Sequence, residues 1–214
     1  MKTSHLAMAA AGVLLPLSVA CSSSKDIAGS DPTTTQSTPA PSDETTSSSP
    51  PTTPITTPPD QGDLLEGTGF SVEIPVGWMD ITASLAGTNP RLDVAMGEAN
   101  PSGFRTNFNV VNRTSTVGTI ESDGAALRRQ AASELRSLTH TSVEPLSDRV
   151  VDGEDAIGQT STFVSSGTRV TFLQYFTIHD GRVYPVTMTS ATENRESAST
   201  QLDEILDTWV WSGQ

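Results

Sequence analysis

Cysteine is almost missing from this chain, with one thiol, Cys21, in 214 residues. That excludes an internal disulfide framework and a cysteine-based metal site. Aromatic residues are few: three Trp, two Tyr and six Phe. Lysine does not occur beyond Lys25, and after the first residues the only histidines are His140 and His179. The uncharged, mostly apolar run from His5 to Ala20 is too short to span a bilayer comfortably. There is no Gly-x-Ser-x-Gly elbow, no Gly-rich phosphate loop, no zinc-ligand spacing and no EF-hand pattern. Catalytic chemistry therefore has little to work with, and no cofactor or metal is expected.

What is present begins with Cys21 itself. It closes the apolar run directly after small residues, as Leu17-Ser-Val-Ala-Cys21. This resembles the bacterial lipobox. The resemblance implies that residues 1–20 are a signal peptide, that the Cys21 thiol is acylated (palmitate-type chains), and that Cys21 becomes the new N-terminus. Two acyl chains make a durable membrane anchor where one is marginal. The expected location is the extracytoplasmic face of the plasma membrane.

Residues 22–62 are Ser, Thr and Pro with almost nothing apolar. Such a stretch cannot bury enough surface to offset its ordering entropy, so 21–62 reads as a lipidated cysteine followed by a disordered tether. As a flexible coil it spans about 35 Å, and as extended polyproline II about 130 Å. That reach takes the remaining domain, 63–214, into a cell wall. The domain carries 20 Asp plus Glu against 10 Arg. Its acidity argues against nucleic acid and against direct adhesion to anionic lipid headgroups, leaving the acyl anchor or a local apolar patch as the route of membrane contact.

Alternation places Phe70, Val72 and Ile74 on one strand face, before the break Pro75-Val-Gly-Trp78. Leu92, Val94 and Met96 form a second strand, and Thr106, Phe108 and Val110 a third. A helix is expected over 123–138, capped by Ser122 or Asp123, with Leu127, Ala131, Leu135 and Leu138 as its apolar stripe. Strands follow at about 142–151, 155–164, 168–179 and 182–191. Asp152-Gly153 and Asp180-Gly181 are hairpin signals. In the third of these strands Gln174 shares a face with Val170, Phe172, Phe176 and Ile178. Pro185 removes a donor and predicts a local edge or bulge. A second helix is expected over 194–209, capped by Asn194 or Thr192. The fold class is α+β, an antiparallel sheet flanked by two main helices.

The lipobox, the tether, Phe-Ser-Val-Glu-Ile-Pro-Val-Gly-Trp over 70–78 and Val-Tyr-Pro-Val-Thr-Met-Thr-Ser-Ala over 183–191 together resemble the mycobacterial LpqN/LpqT lipoprotein family. The resemblance implies a PsbP-like α/β/α sandwich. It also implies a non-enzymatic envelope role, linked to glycolipid handling beside membrane lipid exporters.

The residues suggest two kinds of partner. An amphipathic glycolipid would use apolar walls with a few polar groups, and Trp78, Phe108, Leu173 and Tyr175 are the candidate lining. Core packing is the competing reading for each. Alternatively the domain is a protein–protein adaptor, docking on a membrane lipid exporter or a cell-wall enzyme without a pocket of its own. A serine nucleophile with His179 as its base, oriented by Asp180, is disfavoured, since neighbours in a tight turn rarely orient one another. His179 reads as a solvated turn histidine, and Asp152, Glu154 and Asp155 as solvated hairpin charges rather than a calcium site.

Overall fold

A computed structural model describes residues 62–114 and 118–213. The signal segment, Cys21 and nearly all of the Ser/Thr/Pro stretch lie outside the described residues. The strands are β1 (Leu64–Gly67), β2 (Phe70–Glu73), β3 (Trp78–Asp80), β4 (Leu92–Glu98), β5 (Asn107–Val111), β6 (Arg113–Thr114), β7 (Glu144–Val151), β8 (Glu154–Ser165), β9 (Thr168–His179), β10 (Arg182–Ala191) and β11 (Val210–Trp211). The helices are α1 (Thr82–Leu85), α2 (Ile120–Thr139) and α3 (Arg195–Asp207), the last entered through a 3-10 turn at Thr192–Asn194.

Seven strands form one antiparallel sheet in the order β3-β4-β5-β10-β9-β8-β7, with β6 added beside β10. The β7–β10 meander turns on Asp152-Gly153, Ser166-Gly167 and Asp180-Gly181, each with positive φ at both residues. Two-residue turns of that shape match the right-handed twist of the strands they join. A small second sheet, β1-β2-β11, pairs the start of the domain with its last strand.

Strand alternation divides the core in two. On one face Met96, Phe108, Leu173, Tyr184 and Met188 pack with Leu202, Ile205 and Leu206 of α3 and with Phe70, Trp209 and Trp211. On the other, Leu127 and Ala131 of α2 meet Ile157, Phe176 and Ile178, and Leu135 meets Val170 and Phe172. The sheet is therefore covered on both faces, the α/β/α sandwich expected from the sequence.

Several local expectations are corrected. Helix α2 starts earlier than 123 because Thr119, not Ser122 or Asp123, is its cap. Thr119 Oγ1 accepts the Ser122 N–H at 3.2 Å, and Ser122 Oγ accepts the Thr119 N–H at 3.2 Å. Asp123 instead accepts the Gly118 N–H at 2.9 Å. That bond, with the Ser122 hydroxyl, holds the Asp123 carboxyl below its ordinary value. Helix α3 starts at Arg195 and ends before Trp209. Asn194 occupies its cap position without a side-chain cap bond, and Thr192 lies instead 3.1 Å from the Thr171 hydroxyl.

Pro185 is not on an edge strand. β10 lies inside the sheet, fully paired with β9. Its other side pairs Val186–Thr189 with β5 and Arg182–Val183 with β6. The missing donor thus coincides with a break in that ladder at Tyr184–Pro185, without a shift of register.

Candidate functional site

The ladder break at Pro185 sits under α2 and opens a shallow cleft. Val111, Pro185 and Phe176 form its floor with Asn109, Gln174 and Thr187, and Ala131, Glu134 and Leu135 of α2 form its wall. Arg113 stands at one side and donates to Glu134 at 3.1 Å, with both side chains largely buried. Gln130 donates to the other Glu134 oxygen at 3.0 Å. The helix is thereby clamped to the β5–β6 segment.

A row of polar side chains crosses the sheet beneath this clamp. The registers bring Asn109 opposite Thr187, Thr187 opposite Gln174, and Gln174 opposite Gln159. All four residues are buried. Gln159 Nε2 donates to Gln174 Oε1 at 3.0 Å, and Gln174 Nε2 donates to Thr187 Oγ1 at 3.0 Å. Asn109 Nδ2 reaches the Thr187 carbonyl at 3.5 Å. Each amide in the row makes at least one bond within it. Gln159 Oε1 and Arg113 Nε are buried without a side-chain or backbone partner among the described residues.

The cleft is small. The space open to the centre of a water molecule is about 20 Å³, near the minimum for one ordered water and far below a sugar ring or an acyl chain.

None of the four residues expected to line a ligand site lies in this cleft. Trp78, Phe108 and Leu173 belong to the closed core on the opposite sheet face. Their alternation turns them towards α3 and the small sheet. Tyr175 is half-buried against that core, under the Arg149 guanidinium at 5.7 Å from its ring centroid. Burial first, then the Asp203 charge, pushes its phenol above the ordinary value. Arg149 is itself held by Asp203 and by Asp207, the latter at 2.7 Å.

The turn residues are also more engaged than expected. The His179 side chain is only 11% exposed. Its Nδ1 is 2.9 Å from Glu154, and its ring stacks on Trp211. Asp152 is not simply solvated either, because it accepts the Trp211 N–H at 2.8 Å. Asp180 lies 3.7 Å from His179 Nε2 and is exposed. His179 therefore faces carboxylates and an indole rather than a hydroxyl nucleophile. Among the described residues no group of three or more His, Cys, Asp or Glu side chains could hold a metal ion, and no helix is long and apolar enough to cross a membrane.

Sequence reasoning missed the polar row. Gln174, alone among apolar neighbours on its strand face, was the signal available.

No protein-family model matches the chain, and no curated protein matches it. Solved structures do resemble it. A point mutant of the Mog1 protein matches at a TM-score of 0.51 and 12% identity, over 71% of this chain and 96% of that one. The two share a fold. LpqN of Mycobacterium tuberculosis, described as involved in cell envelope biogenesis, matches at a TM-score of 0.49 and 14% identity, over 72% of this chain and 88% of that one. Cyanobacterial PsbP from Synechocystis sp. PCC 6803 matches at 0.48 and 14% identity, over 67% and 86% of the two chains.

Proposed function

We propose that the protein is a non-catalytic, lipid-anchored binding module of the bacterial cell envelope. It is held at the extracytoplasmic membrane face through acyl chains on Cys21, and its domain acts as an adaptor. The partner is a protein of that compartment, such as a membrane lipid exporter or a cell-wall enzyme. The size of the α2 cleft carries this reading. A site with room for about one water and with its amides bonded to each other leaves recognition to the outer surface. The lipobox and the likeness of 70–78 and 183–191 to LpqN/LpqT lipoproteins support the location.

The polar row supports a second reading, in which the cleft widens around the headgroup of an amphipathic glycolipid. Gln174, Gln159 and Asn109 are the groups that would bond sugar hydroxyls, and Arg113 and Glu134 would have to separate.

Crosslinking in living cells, followed by mass spectrometry of both proteins and lipids, tests the two. A reproducible protein partner with no lipid adduct supports the adaptor. A retained glycolipid that Gln174→Leu abolishes supports the second reading. Ester hydrolysis abolished by His179→Ala would sink the non-catalytic assignment altogether.

A further inference from the structure

We propose that one end of the sheet is a footing that rests on the phospholipid surface of the membrane that holds Cys21. The inference builds on the anchoring proposed above, but it concerns the folded domain's own surface.

The strand registers define this end. Trp78 pairs with Glu98, Gly97 with Asn107, Asn107 with Thr189, Thr189 with Phe172, and Phe172 with Ser161. These pairs trace one line across β3, β4, β5, β10, β9 and β8. Just past it come the Pro75–Gly77 turn, the β4–β5 loop and the β8–β9 hairpin tip. The end of α2 is there too, because Thr139 and Ser161 hydroxyls lie 3.3 Å apart. So is Asp63, whose carbonyl accepts the Ile74 N–H at 2.8 Å. The chain from Cys21 thus enters the domain at this end. The 41 residues of 22–62 reach at most about 140 Å.

This end exposes apolar side chains that the fold does not use. Val76 and Val164 are each 67% exposed. Phe104 is only partly buried, at the rim of the Leu135–Phe172 cluster. Strand spacing puts the two valines about 24 Å apart, so they form the corners of a broad base rather than one spot.

The charges at this end are mixed. Arg105, in the β4–β5 loop, Arg136, in the last turn of α2, and Arg169, opposite Val164, stand here. Among the described residues none of the three is ion-paired, and the same holds for Arg129, Arg182 and Arg195, whereas Arg113, Arg128 and Arg149 are paired. Asp63, Glu98, Glu144, Glu193 and Glu196 also lie at this end and oppose them. The far end holds the acidic turns, with Asp152, Glu154, Asp155 and Asp180 against Arg182. A guanidinium meets a lipid phosphate well, and exposed valine and phenylalanine side chains insert at the headgroup boundary. The anchor supplies a high effective concentration, so a weak footing suffices.

The test uses the full acylated chain in vesicles of phosphatidylethanolamine and phosphatidylglycerol. With Cys21 acylated, Val164→Cys provides the only free thiol for an environment-sensitive fluorophore, and Asp155→Cys provides the far-end control. The label at 164 is expected to lose its quenching by aqueous iodide, while the label at 155 keeps it. Val76→Glu and Arg169→Glu are expected to restore quenching at 164. Equal aqueous quenching at both positions overturns the footing. Protection of 164 that appears only when envelope proteins are added overturns it in favour of a protein contact. The mass of the Cys21 peptide reads the anchor separately. If that thiol is unmodified, the anchoring proposal fails, and the labelled chain in a Cys21→Ser background, tethered to the same vesicles by an N-terminal polyhistidine tag on chelator lipid, decides the footing. Lipid-side protection at 164 then supports it, and aqueous quenching overturns it.

Discussion

The indole of Trp211 lies flat on the imidazole of His179, with ring centroids 4.3 Å apart and planes 11° from parallel. The same indole donates from Nε1 to the Val151 carbonyl at 3.2 Å. Its backbone N–H is taken by Asp152. Phe70 stacks on Trp209 at 4.0 Å, and Trp209 and Trp211 meet edge-on at 5.1 Å. The last strand is thus riveted to the β7–β8 hairpin, to β9 and to β2 together.

Trp211→Ala is expected to lower stability by about 3–5 kcal/mol, the usual result of emptying a buried aromatic site. Urea unfolding measures it. A loss within about 0.5 kcal/mol, the range of surface changes, would show the stack to be peripheral.

The polar row makes a coupled prediction. Gln174→Leu strands Gln159 Nε2 and costs Thr187 Oγ1 a donor, so it should cost about 1–3 kcal/mol. Gln159→Leu added to it should cost less than it does alone, with a coupling of about 0.5–3 kcal/mol. Additive single effects in a double-mutant cycle would mean that the amides do not act as a network.

Glycine positions give a pair of opposite signs. A Cβ on Gly158 would sit 2.8 Å from both Leu146 Cβ and Tyr175 Cε1, and neither the strand backbone nor the clamped ring yields easily. Gly158→Ala should destabilise by about 1–3 kcal/mol. Ser166 holds φ at 49°, a conformation that costs a side chain about 1 kcal/mol. Ser166→Gly should recover much of that, visible as a raised thermal midpoint.

Tyr184 links stability to alkaline pH. Its hydroxyl donates to the Thr68 carbonyl at 3.0 Å. Burial, then the charges of Asp93 and Asp180, push its phenol above the ordinary value, with Arg182 opposing. The unfolded chain therefore ionises first, at about pH 10. The stability linked to this group is present in full below that pH and is lost as pH rises through the folded value. Tyr184→Phe should cost about 1 kcal/mol at neutral pH, and its deficit against the parent should narrow under alkaline conditions. A deficit that is constant with pH would rule out the linkage.

The long strands were readable because apolar and polar residues alternate and Asp-Gly pairs punctuate them. The shortest elements, α1, β3 and β6, carry too few residues for any period to show. β1 and β11 also escaped the reading: β1 is a four-residue hairpin arm of β2, and β11 exists only by pairing with β2 across the length of the domain. In the sequence Trp78 and Phe108 fit both core and ligand contacts, and only the sheet's handling of its two faces places them inside. Gln174 stood out in its own strand, but its partners come from β8 and β10. Pro185 announced a missing donor without revealing that two neighbours flank it. His179 looked free because its turn is exposed, while the ring covering it arrives from the last strand.

That late arrival has a consequence for biogenesis. A chain delivered N-terminus first, from a ribosome or through a translocation channel, cannot complete the small sheet until Trp209 and Trp211 emerge. Until then Phe70 lacks the two indoles that pack on it. A chain cut before Trp209 would leave that side of Phe70 open to chaperones and proteases.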